Sequence, residues 1–253
     1  MADTPNHNGP LAGRVAVVTG ASRGIGRAAA LALAKEGVHV VALARTVGAL
    51  EELDDEIRKA GGSATLVPLD LTDYPALDRL GAALHQRWGK LDMLLGNAGL
   101  LGAVTPVAHI EPKVFDSVMA VNVTANWRLI RSLDPLLRQS DAGRALFVTS
   151  GVTRRFPAFW GVYSVSKAAL DALVRTYAAE IRQSSAAANL FNPGPLRTAM
   201  RAQAVPGEDP MTLKTPEDAA PEIVRMLSPS YTGNGTYFDF PTGETRELLP
   251  PPA

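Results

Sequence analysis

Short apolar runs alternate along the chain with longer segments whose apolar residues recur at helical spacing. RVAVVTG (14–20) predicts a buried strand, and GIGRAAALALAKEG (24–37) a helix ended by Gly37. A second strand is expected over 38–44, followed by a charged helix over 47–60 that Gly61 and Gly62 stop. ATLVPLD (64–70) reads as a third strand, and 73–88 as a helix that tolerates Pro75 in its first turn. LDMLLGNAG (91–99) is a fourth strand running into a loop. A long helix is expected from about 112 to 138, with Pro135 kinking it or ending it early. RALFVTS (144–150) is a fifth strand, and YSVSK opens a helix from 163 to about 183. AAANLFNPGP (186–195) has poor strand propensity because of its alanines, yet its place in the alternation makes it a sixth strand. Residues 195–215, rich in Pro and Gly, are expected to form a flexible lid. A helix with a capping-type start over 215–227 and a last strand over 236–240 complete the pattern. The closing ELLPPPA is too proline-rich for regular structure.

This alternation predicts an α/β fold: a Rossmann-type doubly wound parallel sheet of about seven strands, with helices on both faces. No linker or repeat divides it, so one domain is expected over 12–253, with a flexible tail at 1–11 and a C-terminal tail from about 245.

Composition narrows the function. Lys plus Arg and Asp plus Glu are both 25, so no global field points to nucleic acid or an anionic membrane. The absence of cysteine excludes disulfides and thiolate chemistry. The four histidines, at 7, 39, 85 and 109, have no metal-ligand spacing, and no metal is expected. No apolar run approaches bilayer length, and MADTPNHNGP is neither a secretory signal nor a transit peptide. A cytoplasmic protein is the expectation.

Candidate chemistry begins at TGASRGIG (19–26), between the first strand and first helix, where doubly wound folds hold a dinucleotide pyrophosphate. Gly20 permits a sharp turn, and Gly24 and Gly26 allow close backbone approach. Ser22, Arg23 and Ile25 complete the loop. The second strand ends in Arg45 with no carboxylate for ribose hydroxyls. Arg45 and Arg23 together suit a 2′-phosphate, so NADP(H) is preferred and NAD(H) possible. In YSVSK, Tyr163 and Lys167 share one helix face. On its own, that pair reads rather as the first turn of an ordinary buried helix.

With TGASRGIG, Asn97-Ala98-Gly99, Ser150 thirteen positions before Tyr163, Lys167 four after it, and Pro193-Gly194 with Thr198 in order, the chain resembles the short-chain dehydrogenase/reductase family over about 12–228. The resemblance implies hydride transfer between a nicotinamide and a carbonyl or secondary alcohol. Tyr163 would be the general acid/base, Ser150 a donor to the substrate oxygen, and Lys167 the cation that tunes Tyr163 and holds the nicotinamide ribose. Asn122 would distort its helix and hold a relay water. Asp70, with Leu71 beside it, would hold the adenine amino group, although Asp70 reads equally as a helix cap. Asn97, Ala98 and Gly99 would line the adenosine side, and Pro193, Gly194, Leu196 and Thr198 would flank the nicotinamide. Moving a tyrosine from about 10 to near 7 takes roughly 4 kcal/mol. One cation about 4 Å away supplies about that much at an effective dielectric near 20.

The chain departs from the family pattern in three places. Gly96 replaces an asparagine, which is expected to loosen strand packing. Ala186, Ala187 and Ala188 are blander than usual for that strand, and the Asp-Gly-Gly ending is missing. The substrate walls are expected at 151–160 and 195–211, with Phe156, Phe159, Trp160 and Met200 making an apolar pocket. A small carbonyl or alcohol substrate follows. A 3-oxoacyl-thioester reductase and a non-catalytic NADP(H)-binding sensor or scaffold are the alternatives, the second disfavoured by the intact set of Asn122, Ser150, Tyr163 and Lys167. Family members usually form dimers or tetramers through the two long helices, so a homo-oligomer is expected.

Overall fold

A computed structural model describes residues 9–248. The strands are β1 (Val15–Thr19), β2 (His39–Ala44), β3 (Ser63–Pro68), β4 (Met93–Gly96), β5 (Arg144–Val148), β6 (Ala187–Asn192), β7 (Thr236–Asp239) and β8 (Glu244–Glu247). The helices are α1 (Gly24–Lys35), α2 (Val47–Lys59), α3 (Tyr74–Trp88), α4 (Pro112–Met119), α5 (Ala125–Gln139), the one-turn α6 (Val152–Arg155), α7 (Gly161–Glu180), α8 (Ala199–Ala204) and α9 (Pro216–Leu227). They build one α/β domain around an eight-stranded sheet in the order β3-β2-β1-β4-β5-β6-β7-β8, in which only β8 is antiparallel to its neighbour. The order reverses between β1 and β4, which opens a crevice at the strands' C-terminal ends.

Strand alternation sorts the core into two layers. β1 turns Val15 and Val17 toward Leu77, Leu129 and Leu170 of α3, α5 and α7. It turns Ala16 and Val18 toward Leu33, Leu53 and Ile223 of α1, α2 and α9. Burying each such leucine stabilises the fold by about 1.5–3 kcal/mol. Among the described residues, no helix is long and apolar enough to cross a membrane.

Several expectations need correction. The sheet has one strand more than expected, because Glu244–Glu247 of the supposed tail pairs with β7. Residues 249–253 lie outside the described residues, as do 1–8 of the expected N-terminal tail. Within that tail, Leu11 is buried and its N–H donates to Glu36 O at 3.1 Å, so 9–11 pack onto the domain. The helix expected over 112–138 is two helices joined by a π turn, Ala120–Thr124. Pro135 does not end α5. It lies on the exposed side, where the carbonyl it leaves unpaired can turn to water, while Leu133, Leu136 and Leu137 hold the opposite face in the core. Gly96 tightens packing instead of loosening it: a Cβ there would lie 2.4 Å from Phe147 Cδ1 and 2.8 Å from Asn126 Oδ1.

The segment 195–215 is stapled. Arg197 N donates to Lys214 O and Arg197 Nε to Pro210 O, both at 2.8 Å. Arg201 forms two hydrogen bonds of 2.6 Å with the Glu208 carboxylate. Five residues of a segment expected to be flexible thereby close a loop with its own internal bonds.

Candidate active site

Every expected site residue lies at the C-terminal ends of β1–β6 or on the helices that follow. The glycine loop turns directly off β1. Gly20 has φ +65°, and a Cβ on it would lie 2.9 Å from Asn97 Nδ2. A Cβ on Gly26 would lie 2.3 Å from Gly20 O, so only glycine allows the loop to lie this close to the start of α1. No side chain caps that start; Arg23 precedes it in an extended conformation. The first-turn N–H groups of α1 therefore have no side-chain acceptor and suit a phosphate. Ser22 and Ile25 are half-buried beside them.

Thr19, buried, joins this loop to the Asn97 turn, a role that sequence reasoning missed although Thr19 is the first letter of the motif. Its hydroxyl accepts from Asn97 N at 3.0 Å and Ala98 N at 3.1 Å, and Asn97 Nδ2 donates to Thr19 O at 2.9 Å. Arg45, at the end of β2, is 68% exposed and lies 3.8 Å from Asp70. Asp70 is not the cap of α3; Asp73 is, accepting from Ala76 N at 3.1 Å. Asp70 instead accepts from Thr72 N and Thr72 Oγ1 at 2.9 and 2.7 Å, and those bonds hold its carboxyl below the usual range. Leu71 is buried against the core.

The four expected catalytic residues converge from three elements. Ser150 follows β5, Tyr163 and Lys167 lie on α7, and Asn122 lies in the π turn. Tyr163 is buried, which pushes its phenol up to about 12; a hydrogen bond with Ser150 acts in the opposite direction. Lys167 is buried too, and burial pulls its ammonium down to about 8 against the opposing charge of Asp171. Lys167 Nζ donates to Val148 O at 2.8 Å and stands 5.8 Å from the Tyr163 ring centre. The balance differs from the expectation near 7, because burial opposes the cation.

Asn122 ties the π turn to its surroundings. Its Nδ2 donates to Leu100 O and Ser166 Oγ, both at 2.9 Å, and its Oδ1 accepts from Leu100 N at 2.8 Å. Its main-chain oxygen accepts from Asn126 Nδ2 at 2.8 Å. Gly99 passes beside both groups: a Cβ there would lie 3.3 Å from Asn122 Oδ1 and 3.6 Å from Lys167 Nζ.

The apolar wall around Tyr163 is partly as expected. Leu101 and Val152 are buried with it, and Trp160, Met200 and Ala204 pack against them. The Trp160 ring meets Tyr163 edge-on at 6.1 Å. Val152 and Ala204 fall within the expected walls, and Leu101 lies in the 100–107 loop expected to close a third side, though none of the three was singled out. Phe156 and Phe159 do not belong to this wall. Both adopt left-handed backbone, φ 44° and 72°, and their side chains are 68% and 56% exposed.

The Pro193-Gly194 turn stands opposite. Asn192, also missed, accepts from Gly151 N at 2.9 Å and Gly194 N at 3.1 Å, so one carboxamide joins the Ser150 turn to the Pro-Gly turn. Asp239 fixes its orientation by accepting from Nδ2 at 2.5 Å. Thr198 caps α8 through Arg201 N at 3.2 Å, and its methyl approaches Gly24 of the glycine loop. The Leu196 side chain is buried in the core and does not face the crevice.

The sequence profile of the short chain dehydrogenase family matches residues 14–209. The uncharacterised oxidoreductase YciK of Escherichia coli K12 is 39% identical over 91% of this chain and 92% of its own. A short chain dehydrogenase of Shigella flexneri 2a, solved in complex with NADP, superposes with a TM-score of 0.86 at 38% identity, covering 91% of this chain and 98% of that one. One from E. coli CFT073, in complex with NADPH, gives 0.85 at 38% identity, covering 91% and 97%. Matches of this extent in both sequence and fold make the chain a member of the short-chain dehydrogenase/reductase family of oxidoreductases.

Proposed function

We propose that the protein is an NADP(H)-dependent oxidoreductase that moves a hydride between the nicotinamide and a carbonyl compound or secondary alcohol with an apolar body. The observation that carries this reading is the buried Tyr163, bonded to Ser150 and close to Lys167, at the mouth of the crevice that the glycine loop opens. The loop fits a dinucleotide: its glycines leave no room for side chains, and the start of α1 lacks a side-chain cap. Arg45 and Arg23, both exposed, would hold the 2′-phosphate, and the NADP-bound relatives support that preference.

The nicotinamide supplies the hydride when bound. Tyr163 donates the proton that a reduced carbonyl oxygen needs, and in the reverse direction its phenolate takes it. Ser150 donates a hydrogen bond to the same oxygen. At 5.8 Å the Lys167 charge is worth about 3 kcal/mol at an effective dielectric of about 20, or roughly two pKa units. Burial outweighs it: with its phenol pushed up to about 12, Tyr163 is protonated at neutral pH and ready to act as an acid. Reduction is the direction this favours. Asn122 positions the π turn and α7; a relay water would use the carbonyl lone pair that Asn126 leaves free. Leu101, Val152, Trp160 and Met200 would receive the substrate's apolar body. Exposed Phe115, Trp127 and Val165 on α4, α5 and α7 support self-association through those helices.

The test is a panel of aldehydes, ketones, quinones and a 3-oxoacyl thioester, followed through NADPH and NADH consumption. Reduction of at least one apolar carbonyl with NADPH ahead of NADH is expected. Tight NADPH binding with no turnover across the panel would replace this reading with a binding-only role.

A further inference from the structure

Asp171 lies on α7 one turn beyond Lys167 and belongs to none of the expected site residues. Its carboxylate is largely buried, an expensive place for a charge that lacks partners. Thr149 Oγ1 donates to Asp171 Oδ1, and Thr149 N is held by Phe191 O at 2.9 Å. Thr153 bonds the same carboxylate, and its hydroxyl also lies 3.1 Å from Ser150 O. One carboxylate therefore grips both ends of the turn that presents Ser150. On the adjoining residue, Val148 O receives Lys167 Nζ at 2.8 Å. The ammonium and the carboxylate thus meet consecutive residues at the end of β5. The charged and titratable groups acting on Asp171 or packed nearby are Lys167 and Arg175 on its own helix, Tyr237 on β7, and Arg154, whose guanidinium lies 5.1 Å above the Tyr237 ring.

We propose that Asp171 is a positioning residue of the site: its carboxylate clamps the Ser150 turn to the helix that carries Tyr163 and Lys167, and supplies the negative charge that keeps Lys167 an ammonium. The proposal rests on the function given above for Tyr163 and Lys167. Burial pushes the Asp171 carboxyl up, and the Thr149 and Thr153 hydroxyls with the charges of Lys167 and Arg175 pull it back toward the carboxylate. Tyr163, Lys167 and Asp171 follow one another at four-residue intervals on one helix face. Asp171 is about 12 Å from Tyr163 along the axis and half that from Lys167, so its charge reaches the phenol through Lys167.

Three variants separate clamp from charge. Asp171→Asn keeps an acceptor for Thr149 and removes the charge. Thr149→Val removes one bond and keeps the charge. Asp171→Ala removes both. Ionisation of Lys167 is read by NMR of protein labelled at the lysine Cε, with Lys167→Met assigning its signal, and turnover from NADPH consumption on the best carbonyl of the panel. Asp171→Asn is expected to lower the pH at which Lys167 loses its proton by about one unit and to lower alcohol oxidation at neutral pH about two-fold. Thr149→Val should lower turnover with the ionisation unmoved. An Asp171→Asn protein with unchanged ionisation and turnover overturns the proposal. So does loss of turnover that only follows loss of thermal stability in all three. Should Asp171→Asn fail to fold, Thr149→Val decides: full turnover removes the clamp. If the wild type reduces no carbonyl while Asp171→Asn still shifts Lys167, the enzymatic reading fails and the link from Asp171 to Lys167 stands.

Discussion

The glycine loop after β1 and the Ser150 turn after β5 occupy equivalent places in the sheet and are shaped by opposite means. The glycine loop is shaped by what cannot be there: a Cβ on Gly26 would meet Gly20 O at 2.3 Å. The Ser150 turn is shaped by what must be there. Asn192, Asp171 and Thr153 hold it with side-chain hydrogen bonds that span up to 41 positions in sequence. A site built by exclusion binds through main-chain N–H groups, which any residue type could supply. A site built by hydrogen bonds places particular side-chain atoms, and reaction chemistry needs those. The two regions should therefore fail differently when changed.

The largest effect is expected on the Ser150 side. Tyr163→Phe removes the proposed proton donor and leaves the packing of the ring intact. Turnover should fall by about 10²–10⁴-fold with NADPH affinity kept within a few-fold, measured by steady-state kinetics and a fluorescence titration. On the glycine side, Gly26→Ala should do the reverse. It forces the loop from α1, weakens NADPH binding at least ten-fold, and lowers stability by about 1–3 kcal/mol in denaturant unfolding. If both variants lost affinity and turnover together, the contrast between the two regions would be wrong.

Lys167 gives a smaller and pH-dependent effect. Its folded pKa of about 8 lies below the ordinary 10.5, so the folded state disfavours its charge. That destabilisation, about 3 kcal/mol, is fully present below pH 8 and is relieved as pH rises from 8 to 10.5. Lys167→Met should therefore be more stable than the wild type at pH 7, and the gap should close by pH 10.5, in urea titrations across that range. A gap independent of pH would locate its cause elsewhere. The smallest effect belongs to Arg45, exposed and weakly paired with Asp70. Arg45→Ala should raise the KM for NADPH about ten-fold while leaving that for NADH unchanged.

The same contrast explains what could be read from the sequence. Exclusion leaves a mark at each position, so TGASRGIG and the strand–helix alternation located the fold and the glycine loop directly. YSVSK and Ser150 were legible because family spacing joins them. Asn192, Thr19 and Asp171 were not, because each is an ordinary polar residue until folding brings its partner near. Phe156 and Phe159 misled for a related reason: apolarity suggested a pocket, and the left-handed backbone that turns them outward has no marker in a non-glycine residue. Gly96 looked like a loss of packing because Phe147, which fills the space, lies fifty-one positions away. β8 was hidden by a polar composition that an exposed edge strand tolerates.

The π turn at Ala120–Thr124 also sets a rule for how this chain can change in length. A single π turn within a helix amounts to one extra residue, and one residue is about 100° of rotation. It lets α4 meet α7 while α5 presents Leu129, Leu133 and Leu136 to the sheet and α3. Removing one residue from 120–124 would turn the π turn into an ordinary α turn and leave that leucine stripe facing the core, whereas the same deletion inside α5 would swing the residues beyond it by about 100°. The turn is thus the one stretch between α4 and α5 where the chain can shorten by a residue with the facing of α5 kept.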